Sequence, residues 1–385
     1  HPSEVVQKGQ DLEVMVLDRC FGPVVINAPA DLETFRNSMC GQVDGDVLVQ
    51  GSSVSNLNGM ENLIHVRGDL VIEGNPSLTD IVGIGNLKLV SGDFVVAANP
   101  VLQEPRFDGA PLQASATLFE DPMADLAEAP VANQISSVSL TLRFVGRSLV
   151  IADNPLMTNL DWLGWLVGVA GQFIVQEMTG LQSASGMVSL RFVTFLGMAF
   201  NPVLNSMDAF PALRWSLIGV YLIDGGQRLG FPSLEATFGP VLVTGAYGDT
   251  PGVQSLLAGD GVAHNGFHVL EEVSFPALRC AHRGMGIGFN PGLTSATFPS
   301  LEQIGDCFEG PLGVRPPEDI LRFAEGQESP AILADWQPLI GDRFSMVGAA
   351  RAERLSELQA RMGLEEDGSH LAGALAQSGV SPWAG

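Results

Sequence analysis

The dipeptide Asn-Pro returns along this chain at a nearly fixed interval, and that interval constrains the fold more than any other feature. It occurs as Asn75-Pro76-Ser77-Leu78, Asn99-Pro100-Val101-Leu102, Asn154-Pro155-Leu156-Met157, Asn201-Pro202-Val203-Leu204 and Asn290-Pro291-Gly292-Leu293. The first two copies are 24 residues apart, and Asn154 to Asn201 is 47, close to two such steps. A period of this length marks a solenoid, in which each repeat buries its apolar face only against its neighbours.

Aligning the copies exposes the rest of the unit. Gly45-Asp46-Val47-Leu48-Val49, Gly68-Asp69-Leu70-Val71-Ile72 and Gly92-Asp93-Phe94-Val95-Val96 precede the corner, and Arg147-Ser148-Leu149-Val150-Ile151 and Gly171-Gln172-Phe173-Ile174-Val175 fill the same slot later. Each reads as a short strand with alternate residues pointing inward. After the corner, Leu78, Ile81, Ile84 and Leu87 follow one another at three-residue spacing. That spacing predicts a tight, 3₁₀-like return. Glycine is expected to supply the backbone angles at the hand-over between coils. Proline fixes the corner, and stacked Asn amides are expected to form a ladder that satisfies its backbone groups. Asp46, Asp69 and Asp93 are read as solvated turn residues, with a cation-binding carboxylate ladder as the alternative.

Two stretches break the period. Asn99 to Asn154 spans 55 residues rather than 48, and the insertion at 103–140 carries Glu104, Asp108, Glu120, Asp121, Asp125 and Glu128 against the single Arg106. The second departure is 244–268, rich in Gly and Asp. Insertions on a solenoid emerge as loops from one face, where function is common. The expected organisation is therefore an N-terminal extension at 1–19, a solenoid at 20–309 with these two insertions, and a C-terminal extension at 310–385.

Charge narrows the class of partner. With 43 acidic against 19 basic residues the net charge is −24, and only Lys8 and Lys88 are lysines. Such a surface repels nucleic acid and anionic membranes and favours basic partners. No apolar run is long and clean enough for a transmembrane helix. No signal peptide is visible, and a chain opening His1-Pro2-Ser3 is expected to be a processed form. No Asn-x-Ser/Thr sequon with a non-proline middle residue occurs. Four cysteines lie in pairs near the ends of the repeat region, Cys20 with Cys40 and Cys280 with Cys307. They are read as two disulfides stapling the caps in an oxidising compartment, or else as free buried thiols.

The opening Cys20-Phe21-Gly22-Pro23, Leu32, Phe35, Cys40 and Val43-x-Gly45-x-Val47-x-Val49 resembles that of receptor L domains. Gly68 to Leu78 is similar to their later units. The resemblance covers roughly residues 20–305. It implies a mainly β fold, a right-handed, leucine-rich-repeat-like β-helix, and an extracellular, cell-surface or organelle-lumenal protein. It implies no single function, since this fold serves many partners.

Beyond about Gly310 helix signals take over. Pro317-Glu318-Asp319 opens one helix, and Met346–Met362 forms a second with Val347, Leu355, Leu358 and Met362 along one side. This α-helical extension either caps the solenoid or docks on a partner.

Candidate chemistry is sparse. His264 and His268 stand four apart, with His282, Glu271 and Glu272 downstream, but no Glu adjoins His264 as a metalloprotease motif requires. Cys280 near His282 lacks an oxyanion site, Gly284–Gly288 lacks a phosphate loop's setting, and Arg67-Gly68-Asp69 falls at a strand entrance. Trp162 and Trp165 are read as core or lid, with a sugar platform as the alternative, while Trp215 and Tyr221 are an aromatic pair of unassigned facing. The expectation is a non-enzymatic interaction protein without cofactor or metal. Its solenoid face and acidic insertion would bind a protein or glycan, basic for preference. The alternatives are a structural subunit of a hetero-assembly docked through the C-terminal helices, and a polysaccharide-active β-helix enzyme.

Overall fold

The computed structural model describes residues 4–7, 15–105, 113–114, 140–223, 226–244, 270–282, 284–288 and 292–305. These residues form a parallel β-solenoid. Each coil contributes to one stack of strands, turns a corner, contributes to a second stack, turns again and returns.

The first ladder runs through Cys40–Asp44, His65–Val66, Leu89–Val90 and Phe144–Val145, and ends with Ala236–Thr237, Cys280–Ala281 and Gln303–Ile304. The second runs through Val24–Val25, Val47–Gln50, Leu70–Glu73, Phe94–Ala97 and Leu149–Ala152, and ends with Val241–Thr244 and Met285–Gly288. Between them, Gly168–Gln176, Phe192–Ala199 and Trp215–Ile223 are long enough to serve both ladders, with a register shift where the chain bends. A third ladder of Asn205–Ser206, Arg228–Gly230, Glu272–Ser274 and Ser295–Thr297 occurs only in the later coils. Every pairing in these ladders is parallel.

Alternation along the strands places one residue of each pair in the core. Val47, Leu70, Phe94, Leu149, Phe173, Leu196, Val220 and Val241 occupy equivalent rungs and are all 0% exposed. The return paths complete the core with Leu57, Met60 and Leu63, then Ile81, Ile84 and Leu87, then Leu160, Leu163 and Leu166. Short 3₁₀ turns at Val82–Ile84 and Asp161–Leu163 carry this three-residue spacing. Trp162 sits within the second turn, 1% exposed and edge-on to Phe94 at 6.3 Å.

The corner has a backbone signature that residue identity hides. Gly51, Gly74, Ala98, Asp153, Glu177 and Phe200 each precede the corner residue, and all have φ between 50° and 65°. Four of the six are not glycine. Each of the first five donates its amide hydrogen to a carbonyl of the following coil, which holds an otherwise unfavourable left-handed conformation in place. The repeated glycines before the strands have another reason. A Cβ at Gly68 would lie 2.3 Å from Asp46 Oδ1 and 2.6 Å from the Gly45 carbonyl oxygen. Close stacking, rather than special backbone angles, demands glycine there.

The described residues contain one α-helix, Pro29–Ser38, in the opening coil. Asp31 accepts from the amides of Asn27 and Ala28, and Leu32 and Phe35 turn into the core. Cys20 and Cys40 are disulfide-bonded across this coil, with Cα atoms 5.7 Å apart. Closing that loop contributes about 3 kcal/mol by chain entropy. Glu4–Gln7 pairs antiparallel with Met15–Phe21 and with Gln113–Ala114. The large insertion is thereby stitched to the N-terminal edge.

The insertions leave the frame closed beneath them. Asn99 and Asn154 are not two coils apart but neighbours in direct contact, so one coil takes 55 residues where its predecessor takes 24. Val241 and Met285 pair directly across the second insertion. The helices expected at 310–385 lie outside the described residues.

Candidate interaction surface

The repeated polar side chains are engaged in the frame. Asn75, Asn99, Asn154 and Asn201 are 0% exposed. Asn75 Nδ2 donates to Val49 O at 2.9 Å and to Asn99 Oδ1 at 3.0 Å. Asn99 Nδ2 donates to Ile72 O and to Asn154 Oδ1, and Asn154 Nδ2 donates to Val96 O and Ala152 O. In the next coil Met178 stands at the corner, and its amide donates to Asn201 Oδ1 at 3.2 Å. Asn290 lies outside the described residues.

The aspartates form a second ladder, which corrects the expectation of solvated turns. The Asp69 amide donates to Asp46 Oδ1 at 2.8 Å, the Asp93 amide to Asp69 Oδ1 at 2.7 Å, and the Ser148 amide to Asp93 Oδ1 at 2.9 Å. Asp69 and Asp93 are buried. Each carboxylate caps the strand entering the next coil, and Arg147 adds a cation 3.8 Å from Asp93.

Among the other residues weighed from sequence, Cys280 is disulfide-bonded, so no thiol nucleophile exists there. Glu272 is held by Arg228, whose Nε lies 2.9 Å away. Trp215 is 9% exposed beneath the Arg214 guanidinium, and Tyr221 meets Phe195 edge-on at 5.0 Å, with burial pushing its hydroxyl pKa up. Asp108, Glu120, Asp121, Asp125, Glu128, His264, His268, Cys307, Leu355, Leu358 and Met362 lie outside the described residues. No group of three or more His, Cys, Asp or Glu among the described residues is arranged to hold a metal ion.

One polar cluster is invisible in the sequence pattern. On the outward face of the first ladder, Asp44 is bonded by Arg19 and, at 2.9 Å, by Gln42, with Arg67 at 3.4 Å. Burial alone would raise the Asp44 pKa, but those bonds and charges prevail and hold it below the ordinary value. His65 follows on the next coil, with Nε2 2.9 Å from Ser91 Oγ. Burial first, then the Arg67 charge, depress its pKa from 6.5 to about 4. The imidazole is therefore neutral at physiological pH and a weak base. The cluster spans residues 19 to 91, and only the register of the coils brings it together.

Beyond this cluster both ladders turn apolar residues outward. Val71, Val95, Val150 and Ile174 form a stripe on the second ladder, at most 3% exposed. Leu89, Phe144, Phe192 and Trp215 form a row on the first, at most 9% exposed. The exposed large hydrophobics lie elsewhere. Phe21 and Val25 are near the N-terminal end, Ile287 and Ile304 near the C-terminal end, and Leu156, Val203 and Ile218 at corners and a bend. The stem of the large insertion is fastened to the frame: Glu104 accepts from the Thr158 amide at 3.2 Å. Burial, with Glu104 adding to it, raises the pKa of neighbouring Asp161.

No family model matches the chain, and neither a curated protein nor a solved structure matches it. No described helix is long and apolar enough to cross a membrane.

Proposed function

We propose that this protein is a non-enzymatic interaction protein whose β-solenoid is a rigid frame for its acidic insertion. One observation carries the reading: the frame closes beneath the insertion. Asn99 and Asn154 bond directly across 55 residues, and Leu102, Leu140, Leu142, Val145, Leu149 and Ile151 fill that coil's core, so the described residues on either side of 106–139 are enough to close the coil. Loops of that kind on a rigid scaffold are where binding residues concentrate. The residues offered to a partner are Asp108, Glu120, Asp121, Asp125 and Glu128. They follow the Glu104 stem and flank the strand at Gln113–Ala114. Their charge selects a basic protein, with glycan binding as the other form of the reading. The Cys20–Cys40 bond favours an oxidising compartment, hence an extracellular, cell-surface or lumenal setting. The L-domain resemblance belongs to the same proposal.

The test is binding of a lysine-rich model protein to the intact chain, compared with a variant carrying Glu120→Gln, Asp121→Asn, Asp125→Asn and Glu128→Gln. Binding that weakens with salt and is lost in the variant supports the reading. Equal binding by both proteins removes the insertion from it. A second reading, a structural subunit of a larger assembly, draws on the exposed apolar residues at the two ends. Turnover of a polysaccharide would instead revive an enzyme.

A further inference from the structure

The polar cluster around Asp44 holds binding capacity that the solenoid frame does not use. Arg19, Gln42 and His65 succeed one another in one outward column of the first ladder, and Phe21, Asp44 and Arg67 in the next. Val43 and Val66, between the columns, belong to the core. Three of the six outward side chains are open to solvent. Phe21 is 75% exposed, and the Arg19 and Arg67 side chains are 48% and 46% exposed.

Two guanidinium groups share one carboxylate here. Arg19 meets Asp44 Oδ2 through Nε and Nη2. Asp44 Oδ1 accepts from Gln42 at 2.9 Å and has Arg67 Nε at 3.4 Å. Among the described residues the Arg67 guanidinium makes no hydrogen bond, and Gln42 Oε1 accepts none. The charges that act on His65 are the same three, Arg67 and Arg19 against Asp44. One positive charge is thus in excess, on a chain whose net charge is −24. Charges more than about 8 Å away are largely screened from it at physiological salt. Arg19 also lies over the Phe21 ring, 5.4 Å from its centroid, so an exposed apolar ring stands beside the cations.

We propose that this patch binds an acidic sugar, with its carboxylate on Arg67 and Arg19 and its ring face on Phe21. Guanidinium supplies a planar fork of donors that matches a carboxylate. Phe21 supplies flat apolar area for the C–H face of a pyranose, and Gln42 Oε1 supplies an acceptor for a ring hydroxyl. Extent favours a sugar over a protein. Three adjacent strands, taken over two residues each, span about 10 by 7 Å, and the next outward residues, Leu89 and Phe144, are only 8% and 2% exposed. A stable protein interface takes about 800 Å² from each partner. The site lies on the frame itself and does not rest on the acidic insertion.

The experiment is titration calorimetry of the full chain with trigalacturonate at physiological salt. The proposal expects binding that neither a neutral galactose trimer nor methyl-esterified trigalacturonate shows. Arg67→Gln should weaken it about tenfold, and Phe21→Ala several-fold. Both side chains are exposed, so both variants should keep the parent's urea midpoint. Arg228→Gln, on the third ladder, should bind like the parent, and so should the variant with Glu120→Gln, Asp121→Asn, Asp125→Asn and Glu128→Gln. No binding, or binding indifferent to Arg67→Gln, would overturn the proposal. Inorganic sulfate bound as tightly would leave an oxyanion patch without sugar recognition. A hexaglutamate peptide bound as tightly, with the same dependence on Arg67, would assign the patch to acidic proteins instead. Loss of sugar binding in the insertion variant would move the site off the frame.

Discussion

The early and late coils keep register by different means. Around Asn75, Asn99 and Asn154 the corner is fixed by a buried amide ladder, and the return is an irregular path lined by aliphatic residues. Past Asn201 the return becomes the third β-ladder, and Phe210, Phe231, Phe275 and Phe298 stack along it. Their centroids are 6.2, 5.0 and 5.4 Å apart, and the last two contacts are within 11° of parallel. Directional hydrogen bonds and ring stacking thus serve the same purpose, fixing each coil over the one before. The coil between the two regions, with Gln176, Glu177 and Met178 at the corner, has a single donor to Asn201 in place of a full link.

The largest test of this contrast is Phe275→Ala. Phe275 is 0% exposed and sandwiched between Phe231 and Phe298. Its loss should cost about 3–5 kcal/mol, read from the urea midpoint. Phe298→Ala should cost clearly less, because that ring is only partly buried. Equal costs would show that the stack is not what holds the late coils.

Asn99→Ala is the matching test on the early coils. It removes the partner of the Asn75 amide and the Ile72 carbonyl and the side-chain links to Asn75 and Asn154 in a dry corner, at about 3 kcal/mol in total. Asn201→Ala should cost less, since Asn201 serves one donor and one acceptor. A tolerated Asn99→Ala would mean that proline and the left-handed residue alone define the corner.

His65 supplies a pH test confined to the early coils. Its pKa is depressed from 6.5 to about 4, so the unfolded chain takes up the proton first. Stability is then full above about pH 6.5 and falls as pH drops towards 4, by roughly 3 kcal/mol at most. His65→Gln should flatten the urea midpoint across that window. A midpoint as steep in the variant as in the parent would place the acid sensitivity elsewhere, with Asp44 acting only lower, below the usual carboxylate range.

These differences were unequally legible in the sequence. Asn-Pro is a visible corner because proline restricts its predecessor whatever lies around it. The stack had a signal of the same kind, Phe-Pro-x-Leu at Phe210, Phe231, Phe275 and Phe298, which the more frequent Asn-Pro overshadows. The left-handed row was not legible, since Gly, Ala, Asp, Glu and Phe share it and the next coil's carbonyl enforces it. Asp69 and Asp93 read as turn residues because their carboxylates accept from amides 24 and 55 residues away. The Asp44, His65 and Ser91 cluster has no linear motif at all. Helix Pro29–Ser38 carried Pro and Asp in its first turn, but the strand pattern on either side masks so short a helical period.

The smallest effect on the frame should come from removing its largest irregularity. Replacing residues 106–138 with a short linker deletes five of the insertion's six acidic residues and leaves the Asn99–Asn154 link in place. Shortening a 55-residue closure to about 24 should gain about 0.7 kcal/mol in loop entropy, partly offset by losing the Gln113–Ala114 pairing with the N-terminal strand. The urea midpoint should therefore stay almost unmoved while binding to a basic protein disappears. A large loss of stability would show that the insertion is structural. A stable frame that still binds would shift recognition to the apolar ends, and with it the argument from display to assembly.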